Sequence, residues 1–105
     1  MIIPSSDQQQ MIARMAKALG HPTRVAIVLF LAQRSECFFG DIHQVLSISK
    51  ATVSQHLSEL KDAGLIQGSI EPPKVRYCIN RANWALAQRL FAQLFATAAP
   101  ECSCC

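Results

Sequence analysis

The chain has 105 residues, which is room for one domain, since domains typically run to roughly 100–150 residues. Half of the residues are apolar and 16% are charged, against about 25% charged in an average soluble domain, and this excludes disorder as the main state. The apolar share exceeds what one small core needs, so we expect a second copy of the chain to cover the excess in a homodimer. The net charge of +3 permits nucleic-acid binding without requiring it.

Five cysteines are too few for a disulfide scaffold, which takes roughly 8–10% of a short chain. Three of them lie in the last four positions, as Cys102, Cys104 and Cys105, and near-adjacent cysteines make poor structural crosslinks. The N-terminus lacks the basic and apolar regions of a signal peptide, and no apolar run reaches the roughly 18 residues that span a bilayer. We therefore expect a cytoplasmic protein with no membrane partner, whose reduced thiols can act as ligands or redox sensors.

Helical spacing of apolar residues predicts two helices in the first third of the chain. Ser6 with Gln9 three residues on has the spacing of a capping box, and the helix that follows is expected to end at Gly20. His21 is expected to cap a second helix, with Pro22 in its first turn. Residues 25–32 are apolar nearly all round, which predicts that this second helix is central to the core.

Two more helices, a hairpin and a last helix follow. A short helix opens at Asp41, and a turn over 47–49 leads into a helix over 50–63 that Ser49 caps and Gly64 ends. Two β-prone runs, 65–70 and 75–79, flank a loop with two prolines, and the last helix spans 81–97. The predicted fold class is mainly α with a small β-hairpin wing, a homodimeric winged helix-turn-helix. Residues 1–99 form this domain, and residues 100–105 form a cysteine-rich tail.

The predicted helix-turn-helix and hairpin indicate that the chain binds DNA. An α-helix fits the major groove of B-DNA, and small or polar residues near its N-terminus meet base edges and phosphates. The polar face of the fourth helix and the hairpin supply such residues. The predicted DNA contacts are Lys50, Thr52, Ser54, Gln55, His56, Lys74 and Arg76. The cations are expected on phosphates, and Ser54, Gln55 and His56 at base edges. An ordinary solvated helix face has the same polar character, but the order of the elements favours DNA.

Two stretches resemble the ArsR/SmtB family of bacterial metal-responsive repressors. Residues 17–24 read Lys-Ala-Leu-Gly-His-Pro-Thr-Arg, and residues 49–66 contain Val-Ser-Gln-His-Leu and Ala-Gly-Leu in the order of that family. The likeness covers residues 10–96. It implies a homodimer built through the first and last helices, a DNA-binding winged helix on each subunit, and repression that an inducer relieves. A two-fold dimer would bind an inverted repeat of double-stranded operator DNA, with its recognition helices about 34 Å apart.

The resemblance also restricts which metal or metalloid can be the inducer, because each type of sensor in the family is expected to carry its own set of ligand residues. Zinc sensors of the family resemble one another in carrying Asp, His and Glu at both ends of the last helix, and those types are absent from both ends here. The arsenic sensors' Cys-Val-Cys pair is also missing from the comparable residues 37–42. Trivalent arsenic and antimony prefer thiolates, which Cys102, Cys104 and Cys105 can supply. Cys37 and Cys78 are less favoured candidates for metalloid ligands, and both can also be interpreted as inert thiols that fill the core.

The sequence therefore predicts a repressor of an arsenic or antimony resistance operon, released from its operator when As(III) or Sb(III) binds cysteine thiolates. An alternative is a thiol-redox or persulfide-sensing repressor of the same fold, switched by a reversible disulfide between two of the cysteines, such as Cys37 with Cys78 or with the tail. A third hypothesis, a small thiol enzyme using Cys104 and Cys105, lacks a Gly-rich phosphate loop and a Cys-x-x-Cys motif. We therefore expect no enzymatic activity and no organic cofactor.

Overall fold

The computed structural model describes residues 3–69 and 76–103. In that part of the chain the elements are, in order, α1 (Ser6–Ala18), α2 (Pro22–Ala32), β1 (Phe38–Phe39), α3 (Ile42–Val45), α4 (Lys50–Asp62), β2 (Ile66–Ser69), β3 (Arg76–Ile79) and α5 (Arg81–Ala96). The strands form an antiparallel sheet in the order β1-β3-β2. This architecture confirms the predicted winged helix-turn-helix. The two-residue strand β1 is an addition that the sequence did not predict.

The cap of α1 is Ser5, not Ser6. Ser5 Oγ accepts a hydrogen bond from the Gln8 N–H at 3.2 Å, and Gln8 Oε1 accepts one from the Ser5 N–H at 2.8 Å, which completes a capping box. The predicted pair of Ser6 and Gln9 is wrong by one position. Both pairs have the same spacing, but only Ser5 has the extended backbone of an N-cap residue, whereas Ser6 is already helical.

Helix α2 follows the predictions at its start and on one face. His21 caps it, because its Nδ1 accepts a hydrogen bond from the Thr23 N–H at 3.0 Å. Ile27 and Leu31 are buried at the centre of the core. Leu29, on another face of the helix, is 51% exposed. The central position of α2 is therefore confirmed, although the helix is not covered all round.

The core lies where α2, α4 and the sheet pack together. Helix α4 contributes Val53, Leu57 and Leu60, which is the inward face that the spacing predicts. The largest fully buried side chains are Ile27, Ile42, Leu60, Leu65, Ile66 and Leu90. Burying an aliphatic side chain stabilises a fold by about 1.5–3 kcal/mol. The apolar face of α4 is therefore firmly attached to the domain, which leaves its polar face to the solvent.

No single helix in residues 3–69 and 76–103 is long and apolar enough to cross a membrane. Helices α1 and α2 satisfy that length and composition only when they are taken together, and they are bent by 102° at the break between them.

Candidate functional site

The polar face of α4 presents four of the predicted DNA-contacting residues together. Lys50, Thr52, Ser54 and Gln55 are all exposed on the first two turns of the helix. Because α4 packs through its apolar face, these side chains are available to a partner molecule. A helix that presents small polar groups and a cation at its N-terminal end has the form that enters a major groove. Contact of each residue with DNA stays a prediction.

The turn before α4 differs in detail from the prediction. Ser47 has a left-handed backbone, with φ of 54°, which reverses the chain between α3 and α4. Ser49 is the N-cap residue, as predicted, but its side chain makes no capping hydrogen bond. The Thr52 hydroxyl instead donates to the Ser49 carbonyl at 3.1 Å. The Thr52 N–H bonds to the Ser49 carbonyl at 3.3 Å, and the Ser49 side chain accepts from none of the first N–H groups of α4. N–H groups at helix N-termini bind phosphates.

His56 is half-buried at the junction of α4 with α2. Its Nδ1 accepts a hydrogen bond from Arg24 Nε at 3.0 Å, and its ring centroid lies 4.5 Å from that of His21. Arg24 also donates from Nη1 to the Ala18 carbonyl at 3.4 Å, at the end of α1. Burial, followed by the neighbouring His21 and Arg24, lowers the pKa of His56 below 6.5. Both effects favour the neutral form of the ring, and because Nδ1 already accepts from Arg24, Nε2 is the ring nitrogen that remains for the predicted base contact.

The wing consists of β2 and β3, and one of its predicted DNA contacts lies in the described part of the chain. Arg76 is exposed at the first position of β3, where it pairs with Ser69 of β2. Lys74 lies outside the described residues. Gly68 pairs with Tyr77, and a Cβ built on Gly68 would collide with the Arg76 carbonyl. Glycine at this position is therefore what allows the two strands to approach closely.

Two further contacts join α4 to other helices, and neither was predicted from the sequence. Arg14 of α1 lies 3.9 Å from Glu59 of α4, but both side chains are about two-fifths exposed, so this ion pair contributes little. Asn83 of α5 donates from Nδ2 to the Gly64 carbonyl at 2.8 Å, at the end of α4. This second bond is partly buried and joins the last helix directly to the end of α4.

Cys37 and Cys78 form a disulfide, with their Cα atoms 4.4 Å apart. Phe38 of β1 pairs with Tyr77 of β3 in antiparallel register, so the next pair outward places Cys37 opposite Cys78. Both cysteines are half-buried. The interpretation of these two residues as separate, inert core-filling thiols is therefore wrong. The pairing depends on β1, which is too short to be predicted from periodicity.

A cleft of about 410 Å³ opens beside this disulfide, between the end of α2, β3 and the start of α5. The lining includes both cysteines, together with Arg34, Glu36 and Arg81. Arg81, the first residue of α5, donates from Nη2 to the carbonyl of Arg34 at 3.0 Å and to that of Ser35 at 3.2 Å. The segment that carries Cys37 is thus joined to the last helix as well as to the wing.

The predicted tail site is only partly described. Cys102 is exposed and disulfide-bonded, while Cys104 and Cys105 lie outside the described residues. In residues 3–69 and 76–103, no group of three or more His, Cys, Asp or Glu side chains is arranged to hold a metal ion. The proposed ligand role of the tail therefore stays a prediction.

Comparisons with known proteins agree on one family. The family model for bacterial regulatory proteins of the arsR family matches residues 21–67. The HTH-type transcriptional regulator CmtR of Mycobacterium tuberculosis (strain ATCC 25618 / H37Rv) is 32% identical over 80 residues, which cover 76% of this chain and 67% of that protein. The biofilm growth-associated repressor of Agrobacterium fabrum is 33% identical over 91 residues, covering 86% of this chain and 74% of that protein. The crystal structure of the transcriptional repressor BigR from Xylella fastidiosa superimposes with a TM-score of 0.63 at 25% identity, covering 90% of this chain and 93% of that one.

Proposed function

The chain belongs to the ArsR/SmtB family of bacterial transcriptional repressors, and we propose that it binds double-stranded operator DNA through the polar face of α4 and the β2–β3 wing. The observation that carries the proposal is the arrangement of α4. Its apolar face is buried through Val53, Leu57 and Leu60, while Lys50 and Gln55 are exposed on its first two turns. On this basis Lys50 and Arg76 bind phosphates, and Ser54, Gln55 and the Nε2 of His56 contact base edges.

Fluorescence anisotropy with the DNA that lies upstream of the protein's own gene tests this proposal. Substituting Gln55→Ala removes a base contact, which is worth about 1–3 kcal/mol of discrimination between sites. Lys50→Ala weakens binding to all sequences and lowers the slope of log K against log salt by about one unit. Lys61→Ala is the matched control, because Lys61 is an exposed lysine at the other end of the same helix. Equal salt slopes for the two lysine variants would contradict the proposed orientation of α4.

We propose that the repressor is a homodimer built through α1 and α5, so that its operator is an inverted repeat. The support is the apolar surface that these two helices leave exposed: Met11 is 38% exposed, Leu94 is 41% and Phe95 is 80%. Exposed aromatic and aliphatic groups on neighbouring helices are what a second copy covers. Light scattering should give twice the mass of the chain, and Phe95→Glu should reduce that mass at the same concentration. A monomeric wild-type protein that still binds the inverted repeat tightly would contradict this part of the proposal.

We propose that the inducer is As(III) or Sb(III), bound by cysteine thiolates. The support is chemical, because soft sulfur donors select thiophilic ions and the chain has five cysteines. Residues 100–105 are proposed as a separate tail that contributes Cys102, Cys104 and Cys105 to the available donors. Arsenite added to the reduced protein–DNA complex should release the DNA, with a coupling of about 1–3 kcal/mol. Calcium and magnesium, which prefer oxygen ligands, are the controls and should not release it.

The second candidate function is a thiol-redox or persulfide sensor of the same fold. The disulfide between Cys37 and Cys78 favours it, because a reversible disulfide is itself a two-state element. The two candidates differ in what releases the DNA. A redox sensor releases it when an oxidant is added without arsenite and binds again after reduction. A metalloid sensor releases it when arsenite is added to protein that is kept reduced throughout.

A further inference from the structure

We propose that Cys37 and Cys78, when reduced, form a dithiol site for trivalent arsenicals, and that their disulfide is the form of this site that cannot bind. The inference rests on the proposed function in one respect, that a thiol-reactive ligand controls operator binding. It adds the location of the site, the number of sulfurs that it supplies and the class of arsenical that fits it best.

The two sulfurs are positioned by the sheet. At a non-hydrogen-bonded antiparallel pair, opposite Cα atoms are about 4.5 Å apart and the two side chains lie on the same face, and here the Cα atoms of Cys37 and Cys78 are 4.4 Å apart. The neighbouring residues are anchored. Tyr77 is buried in the core, and the Phe38 ring lies edge-on to that of Phe30 at 5.1 Å. Reduction therefore separates the sulfurs without removing the packing that holds their backbones opposite each other.

The ligand class follows from the number of donors. Within the described residues no third His, Cys, Asp or Glu joins the two cysteines in a metal-binding group. A site with two thiolates is saturated by a monosubstituted arsenical, in which the third bond of arsenic is to carbon. Arsenite would retain one hydroxyl group at the same site. The cleft of about 410 Å³ beside both cysteines gives such a small molecule access and leaves space for its organic group.

The binding step is an exchange of ligands on arsenic. Two As–O bonds of R–As(OH)₂ break and two As–S bonds form, to the sulfurs of Cys37 and Cys78. The two thiol protons leave with the two hydroxyl groups as two molecules of water. Arsenic stays trivalent, so neither an oxidant nor a reductant is consumed. The disulfide has no thiol to exchange, and a dithiol or phosphine reductant must first donate two electrons to it.

The site lies where it can influence both the wing and the last helix. Cys78 is in β3 and pairs with Gln67 of β2, so it belongs to the wing. Cys37 follows a segment whose carbonyls, at Arg34 and Ser35, are bound by Arg81 at the start of α5. Arsenic between the two sulfurs increases their separation relative to the disulfide. We expect operator affinity to fall by 5- to 150-fold when the arsenical binds, the usual range for coupled sites.

The test measures uptake of phenylarsine oxide by intact-protein mass spectrometry, on full-length protein kept under a phosphine reductant. The background is the tail variant, in which Cys102, Cys104 and Cys105 are all replaced by Ser. In that background we expect one arsenical per chain, and none after Cys37→Ser or Cys78→Ser or after oxidation. We also expect phenylarsine oxide to displace arsenite from the site. Failure of the reduced tail variant to take up the arsenical, or uptake that survives Cys37→Ser, would overturn the inference.

Anisotropy on the upstream DNA separates failure of this site from failure of the proposed function. Phenylarsine oxide should release the tail variant from DNA and should leave its Cys37→Ser derivative bound. If that derivative binds DNA, it is folded. If it does not fold, Cys37→Ala takes its place in the same measurement. Equal release of both proteins would overturn the site and leave the repressor function intact. Wild-type protein that never binds the DNA would refute the repressor function, while the mass measurement still decides the site.

Discussion

Removing the crosslink between Cys37 and Cys78 should cost a large part of the stability of this domain. The two cysteines are separated by 41 positions in the sequence. The chain-entropy relation for a loop of that length gives a loss of about 13 cal/mol/K in the unfolded state, or about 4 kcal/mol at 25 °C. Typical domains unfold with only about 5–15 kcal/mol. The reduced protein should therefore be folded but substantially less stable than the oxidised protein.

Urea unfolding followed by circular dichroism measures this difference. With a slope of about 2 kcal/mol/M, a loss of about 4 kcal/mol lowers the midpoint by about 2 M. The protein concentration must be the same in every sample, because formation of the proposed homodimer would make the midpoint concentration-dependent. With reductant present, the Cys37→Ser/Cys78→Ser variant should match the reduced wild type. Cys102→Ser is the control for the tail and should keep the full response to reduction.

Two outcomes would refute this reasoning. A difference of less than about 1 kcal/mol between oxidised and reduced protein would mean that the crosslink does not restrict the unfolded chain as a 41-position loop must. A Cys37→Ser/Cys78→Ser variant that still loses about 4 kcal/mol on reduction would place the stabilising disulfide elsewhere in the chain.

Three further predictions concern the helices. The pKa of His56 is lowered from 6.5, first by burial and then by neighbouring positive charge. The unfolding free energy should therefore fall as the pH decreases from 6.5 through the folded-state pKa. Urea unfolding between pH 8 and 5 measures this loss, and the His56→Gln variant should lack it. Gly64→Ala should cost about 1–2 kcal/mol in urea unfolding, because φ at Gly64 is +81° and the new Cβ would meet Asn83 Nδ2. Ser5→Ala should lower the unfolding free energy by about 1 kcal/mol in thermal melts, whereas the control Ser6→Ala should not.

The helices were predictable because their signals are local. The spacing of Val53, Leu57 and Leu60 identifies the inward face of α4 within eight residues of sequence, and Gly64 marks its end through a backbone conformation that glycine adopts readily. The same local logic fails where two neighbours carry the same signal. Ser5 and Ser6 each have a glutamine three residues on, and only the path of the chain before α1 decides between them.

The parts of the site that were missed depend on contacts between distant residues. Strand β1 has two residues, which is too few for an alternating pattern, and it exists because β3 pairs with it. The partnership of Cys37 with Cys78 follows from that register. The hydrogen bond from Arg24 to His56 likewise joins positions 32 residues apart. Sequence reasoning could identify the residue types that carry thiol chemistry and DNA contact, and it could offer Cys37 with Cys78 as one possible disulfide, but it could not decide which of these residues are neighbours.

The first turn of α5 connects the two halves of the proposed mechanism. Arg81 donates hydrogen bonds to the carbonyls just before Cys37. Asn83 lies two residues further along the same turn and donates a hydrogen bond to the Gly64 carbonyl at the end of α4. One helical turn of a regular, hydrogen-bonded backbone therefore lies between the cysteine pair and the recognition helix. We expect a displacement at Cys37 that rotates this turn to move the end of α4 as well, because the Asn83 bond is short and partly buried. On this proposal, chemistry at the cysteines reaches α4 through the first turn of α5, and α4 needs no ligand of its own in order to respond.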